Sequence, residues 1–143
     1  MPCISFPIDI VVGPVLEIGI SSPLSLATHG APPPQIHWFK ALADTGCSHT
    51  SIHSDVAAKA GLTVISKALV KSTTHSVAVD VYLGDLFLRV TMGTRVFEFP
   101  FRDRSFAQLL NASPSFDALL GMDIFSYGTL VINGDLRQAT FCW

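Results

Sequence analysis

The residues best placed to do chemistry lie in the run Ala43-Asp44-Thr45-Gly46-Cys47-Ser48. An apolar-rich segment, Ile36 through Ala43, ends abruptly at Asp44, and Gly46 permits a tight turn. A carboxylate is thereby delivered at the end of a strand, where a fold can present a proton-transferring group to a cleft. Taken alone, Asp-Thr-Gly is equally well an ordinary strand-terminating turn with an exposed Asp. A second feature far downstream, Phe116-Asp117-Ala118-Leu119-Leu120-Gly121-Met122-Asp123-Ile124-Phe125, changes that balance. It is a strongly apolar strand running into glycine, which can pass close beside another backbone segment and so suits a floor beneath the Asp44 loop.

Other chemistry-bearing residues are weaker candidates. His49 and His53 would share one face of a helix, which invites a metal reading, but the expected helix begins after His53 and no third ligand has recognisable spacing. No metal is expected. Asp117 and Asp123 sit on the outer sides of the glycine turn and read as structural; His29, His37 and His75 read as surface or half-buried polar residues. Cys3, Cys47 and Cys142 are odd in number and widely spaced. That fits reduced thiols better than a disulfide framework or zinc site, although Cys3 and Cys142, near opposite chain ends, could meet at an interface.

The elements that must position Asp44 show a period of two. Ile4, Phe6, Ile8, Ile10 and Val12 alternate with other residues; so do Leu16, Ile18 and Ile20, then Val77, Val79, Val81 and Leu83, then Phe97, Phe99 and Phe101. Many short strands separated by turn residues predict an all-β sandwich or barrel. Gly30-Ala31-Pro32-Pro33-Pro34 reads as a surface connector. One helix is expected over Ser54–Gly61, with Ser54 as its cap, Asp55 at its positive end and Gly61 as its stop; a second short turn follows Gly121. Between Arg102 and Pro114 the pattern is lost, which suggests a surface excursion.

Composition narrows the function classes. The 143 residues are 49% hydrophobic and 14% charged, enough for one domain with a real core, taken as residues 1–143. With a mean hydropathy of +0.46, the surplus apolar surface suggests a buried partner interface. A formal charge of -2 gives no basic stripe for phosphates, so nucleic acid is not an expected partner. The apolar stretches are broken by Asp9, Glu17, Asp80 and Asp85 and do not reach a membrane span. The start Met1-Pro2-Cys3-Ile4-Ser5-Phe6 lacks the pattern of a secretory signal, so a cytoplasmic location is expected.

In the order and spacing of its motifs the sequence resembles the retropepsin-like aspartic proteases, including retrotransposon, bacterial and cellular members. Ala41-Leu42-Ala43-Asp44-Thr45-Gly46-Cys47, then Val56 to Leu62, Val70 to Leu83, Leu119 to Asp123, Gly128 to Asn133 and Ala139-Thr140-Phe141 carry the resemblance. It implies a closed β-barrel-like fold with one or two short helices, acting as a homodimer. It also implies an aspartic endopeptidase that cuts extended polypeptides without a cofactor. Each subunit would supply one Asp44, with Thr45 and Gly46 completing the catalytic loop and Thr45 bracing the pair of loops. Cys47, Ser48, Leu120 and Gly121 would line the substrate cleft, and a hairpin flap with its tip over Lys71–Ser76, including Thr73, Thr74 and His75, would close over it. Cys47 stands where the family usually has Ala or Ser; it reads as a small apolar substitute or as a thiol whose oxidation would crowd the loop. Viral members place an acidic residue and an arginine where this chain has Ser48 and Met122, which moves the match toward cellular and bacterial relatives. The alternative is a catalytically silent module that keeps the fold and binds peptides.

Overall fold

The computed structural model describes residues 1–71 and 74–143. Ten strands dominate: β1 (Cys3–Asp9), β2 (Gly13–Ser21), β3 (His37–Ala43), β4 (Ser51–His53), β5 (Thr63–Lys71), β6 (Ser76–Met92), β7 (Arg95–Leu109), β8 (Ala118–Leu120), β9 (Thr129–Asn133) and β10 (Gln138–Cys142). Two short helices, α1 (Ser54–Lys59) and α2 (Met122–Phe125), and a 3-10 turn at Leu24–Leu26 complete the described elements. The strands run in the order β5-β6-β7-β4-β8-β3-β2-β1-β10-β9, and β6 also pairs with β2. That extra pairing joins β2, β3, β8, β4, β7 and β6 into a closed barrel. The all-β barrel expected from the period-two pattern is therefore present.

Alternation explains the packing. On β2, Leu16, Ile18 and Ile20 are buried, and they meet Ile52, Leu86, Leu88, Phe106, Leu120 and Ile124 in one core. Each such side chain contributes about 1.5–3 kcal/mol by leaving water. Phe97, Phe99 and Phe101 pass from exposed to buried along β7 as that strand runs from the tip of its hairpin into the barrel. Among the described residues no helix is long and apolar enough to cross a membrane.

Four local expectations are corrected. The alternation of Ile4 to Val12 does not make one strand: β1 stops at Asp9, and Ile10 and Val11 lie exposed in a turn. Asp9 accepts hydrogen bonds from the Val11 and Val12 amides at 2.8 and 3.0 Å, which closes that turn. The segment from Arg102 is not an excursion, since β7 continues to Leu109. Its pattern is lost because two residues, Arg102 and Asp103, face the single Asp85 between the pairs Gly84↔Arg104 and Leu86↔Phe101. This bulge shifts the parity, so that Phe101 and Phe106 are both buried although five positions apart. Asp103 adopts φ 50° there, and the buried Asp85 carboxylate accepts from Arg102 at 2.6 Å, the Asp103 amide at 2.9 Å and the Leu24 amide at 3.0 Å.

Helix α1 is capped by His53, not Ser54: the His53 ring accepts from the Asp55 amide at 3.5 Å. The stop at Gly61 is as expected, with φ +66°. Cys3 and Cys142 are not free thiols but form a disulfide within one chain. Antiparallel pairing of β1 with β10 sets them directly opposite, with Cα atoms 4.1 Å apart across 139 residues of sequence.

Candidate active site

Three strands build the site. β8 runs between β3 and β4, parallel to β3 with Ala43 opposite Leu120, and antiparallel to β4 with Ser51 opposite Leu119. The segment joining β3 to β4, which begins at Asp44 and ends at Thr50, must therefore arch over the end of β8. Asp44 stands half-buried at the start of the arch, where its amide donates to the Leu120 carbonyl at 3.0 Å. The Gly46 amide donates to Asp44 Oδ1 at 2.9 Å, and the Cys47 amide returns to the Asp44 carbonyl at 3.2 Å. Oδ1 is thus held by the turn, while Oδ2 has no hydrogen bond among the described residues.

The floor is Gly121. A Cβ there would stand 2.7 and 2.8 Å from the His49 carbonyl carbon and oxygen and 2.9 Å from the Cys47 carbonyl oxygen. Only glycine admits the arch at this distance. The arch is also tied to α2, as the Met122 amide donates to the Cys47 carbonyl at 2.8 Å and the Asp123 amide to the Ser48 carbonyl at 3.2 Å.

Thr50, fully buried, locks the far end. Its hydroxyl donates to Asp123 Oδ1 at 2.8 Å and accepts from the Gly121 amide at 3.1 Å, while its own amide donates to the same carboxylate oxygen at 2.9 Å. Sequence reasoning missed Thr50, because a threonine between a polar loop and a strand gives no signal of its own. The only available hint was Asp123, a carboxylate beside an apolar turn that needs donors. Asp117 is structural too: its amide donates to the Lys40 carbonyl at 2.8 Å, and its carbonyl accepts from the His53 amide at 3.0 Å.

Seven of the sequence-predicted residues, Asp44, Thr45, Gly46, Cys47, Ser48, Leu120 and Gly121, come together in this arch and its floor. Cys47 is partly exposed and its thiol donates to the His49 carbonyl at 2.9 Å. Ser48 Oγ lies 2.9 Å from His49 Nδ1, so His49 belongs to the arch and His53 to the helix cap, not to one helical face. Thr74 and His75 belong to a different element, the β5–β6 hairpin, whose pairing runs out to Lys71 opposite Ser76. Thr74 Oγ1 and His75 Nδ1 are 2.6 Å apart. Thr73 lies outside the described residues.

An Asp-Thr-Gly arch over a Leu-Gly floor, set in a six-stranded barrel, defines an acid-protease-type site. The chain belongs to the aspartyl protease family, whose model, described as "Aspartyl protease", matches residues 37–124. Its fold is retropepsin-like: the crystal structure of a retropepsin-like aspartic protease from Rickettsia conorii aligns over 97% of this chain and 89% of that one, with a TM-score of 0.57. The two sequences are 14% identical, so this likeness speaks for the fold alone. No curated protein matches the sequence.

Proposed function

We propose that the protein is an aspartic endopeptidase whose active site forms when two chains bring their Asp44 carboxyl groups together. The observation that carries this reading is the Asp44 arch itself. One oxygen is bound by the turn, the other is open, and each chain has a single Asp-Thr-Gly. One carboxyl group cannot serve as acid and base at once. Two carboxylates about 3 Å apart cannot both ionise, so the pair shares a proton and its apparent pKa values belong to the dyad. The ionised member draws a proton from water as that water attacks the scissile carbonyl. The protonated member donates to the carbonyl oxygen, and no covalent enzyme intermediate forms.

The substrate is an extended polypeptide. The β5–β6 hairpin acts as the flap, adding main-chain hydrogen bonds along a strand-like ligand, with Thr73, Thr74 and His75 at its tip. Cys47, Ser48, Leu120 and Gly121 line the cleft beside the dyad.

Asp44→Asn tests the reading. The variant should fold and associate as the parent does, yet lose about 10²–10⁴-fold or more in peptide cleavage; a variant as active as the parent overturns the assignment. Parent activity should also fall on dilution, since a monomer holds half a site. Peptides bound tightly but never cut would favour the silent binding module.

A further inference from the structure

Among the described residues the sheet order ends on two strands, β5 and β9, and the two edges are built differently. β5 carries Lys67 and Lys71 and a register shift between Val64 and Ser66. Charge and irregularity are how proteins keep an open edge from pairing with another chain. β9, Thr129-Leu130-Val131-Ile132-Asn133, has no charge, proline or glycine, and its five-residue register with β10 is unbroken. Val131 and Ile132 point to opposite faces of the strand, yet each is 56% exposed. Behind this edge the sheet is stiff, because β10 is held on its other side by β1 and by the Cys3–Cys142 disulfide.

We propose that β9 is the surface through which two copies of this chain associate, edge to edge, as a continuous sheet in the order β1-β10-β9-β9-β10-β1. The proposal rests on the dimeric reading above and names the surface that reading requires. A two-fold axis makes the contact isologous, so β9 must meet β9, antiparallel. An uncharged strand can face its own copy without repulsion, whereas β5 would set Lys67 and Lys71 near their counterparts.

The occupant is a second copy because β9 is anchored to the site that needs one. The Gly121 floor leads directly into α2, whose Met122 amide holds the Cys47 carbonyl, and α2 reaches β9 after only Ser126, Tyr127 and Gly128. Met122, Tyr127 and Leu136, on the segments flanking β9, are further large apolar residues left exposed. Pairing at β9 therefore acts on the same segment that supports Asp44.

The test is sedimentation over a concentration series for the parent, Val131→Lys and Ile132→Lys, with Leu69→Lys on β5 as control and circular dichroism as the check on folding. The lysine variants on β9 should raise the dimer dissociation constant on the order of tenfold or more, since a like-charge pair worth about 1.4 kcal/mol gives that factor; the β5 variant should not. A parent that stays monomeric, or β9 variants that associate as tightly as the parent, would overturn the proposal. Hydrogen exchange on the unaltered chain needs no variant: β9 amides should gain protection as concentration rises, and constant exchange refutes the pairing. Association through β9 without cleavage of any peptide would sink the proteolytic reading and leave this one standing. A cleaving dimer indifferent to the β9 lysines would do the reverse.

Discussion

Replacing Thr50 by Val keeps the side chain's shape and removes its hydroxyl. Two hydrogen bonds go with it, the one to Asp123 and the one from the Gly121 amide. A bond to a carboxylate is worth about 1.5–3 kcal/mol, and a buried amide left without a partner costs about 1–3 kcal/mol. The Thr50 amide still donates to Asp123 at 2.9 Å, so the carboxylate keeps a partner and the two figures do not add in full. A loss of about 2–4 kcal/mol is expected, or about 4–16 °C in the melting midpoint of a chain this size. Thr50→Ser retains the hydroxyl and gives up one methyl, at about 1 kcal/mol. Urea unfolding followed by far-ultraviolet circular dichroism, at one fixed protein concentration for all three proteins, measures both changes. If the Val variant lies within about 0.5 kcal/mol of the parent, or the Ser variant is as damaged as the Val variant, the lock described for Thr50 is wrong.

Gly121→Ala should cost about 1–3 kcal/mol, because its Cβ would meet backbone atoms of Cys47 and His49 that cannot rotate away. It should also depress cleavage beyond its effect on stability; parent-like stability and activity would refute the close approach. Reduction of Cys3–Cys142, which closes a loop spanning nearly the whole chain, should lower unfolding stability by about 2–4 kcal/mol. Cys142→Ser should abolish that response, and a denaturation midpoint indifferent to reductant would count against the pairing. The Asp9 carboxyl should titrate below the ordinary aspartate range, because it accepts the Val12 and Val11 amides. A folded pKa below the unfolded one means that its contribution is present above the unfolded value and lost as pH falls through the folded one. Carboxyl NMR titration showing an ordinary midpoint would remove the argument.

What the sequence determined by itself was local or periodic. The period of two dictates strands, Gly61 stops a helix because it tolerates positive φ, and Asp-Thr-Gly after an apolar run places a carboxylate at a strand end. The Leu120-Gly121 floor was legible for the same reason, since glycine at the end of an apolar strand advertises a close backbone approach. Pairings between distant residues were decided only by the tertiary structure. Cys3 meets Cys142 because β1 and β10 run antiparallel in one register, which neither cysteine's surroundings encode. The bulge at Asp103 erased the alternation that would have revealed the rest of β7, and its cause is Asp85 on the neighbouring strand. Thr50 finds Asp123 only because β8 threads between β3 and β4. The open edge of β9 exists only once every other strand has taken its place, because being unpaired is a property of the sheet and not of the segment.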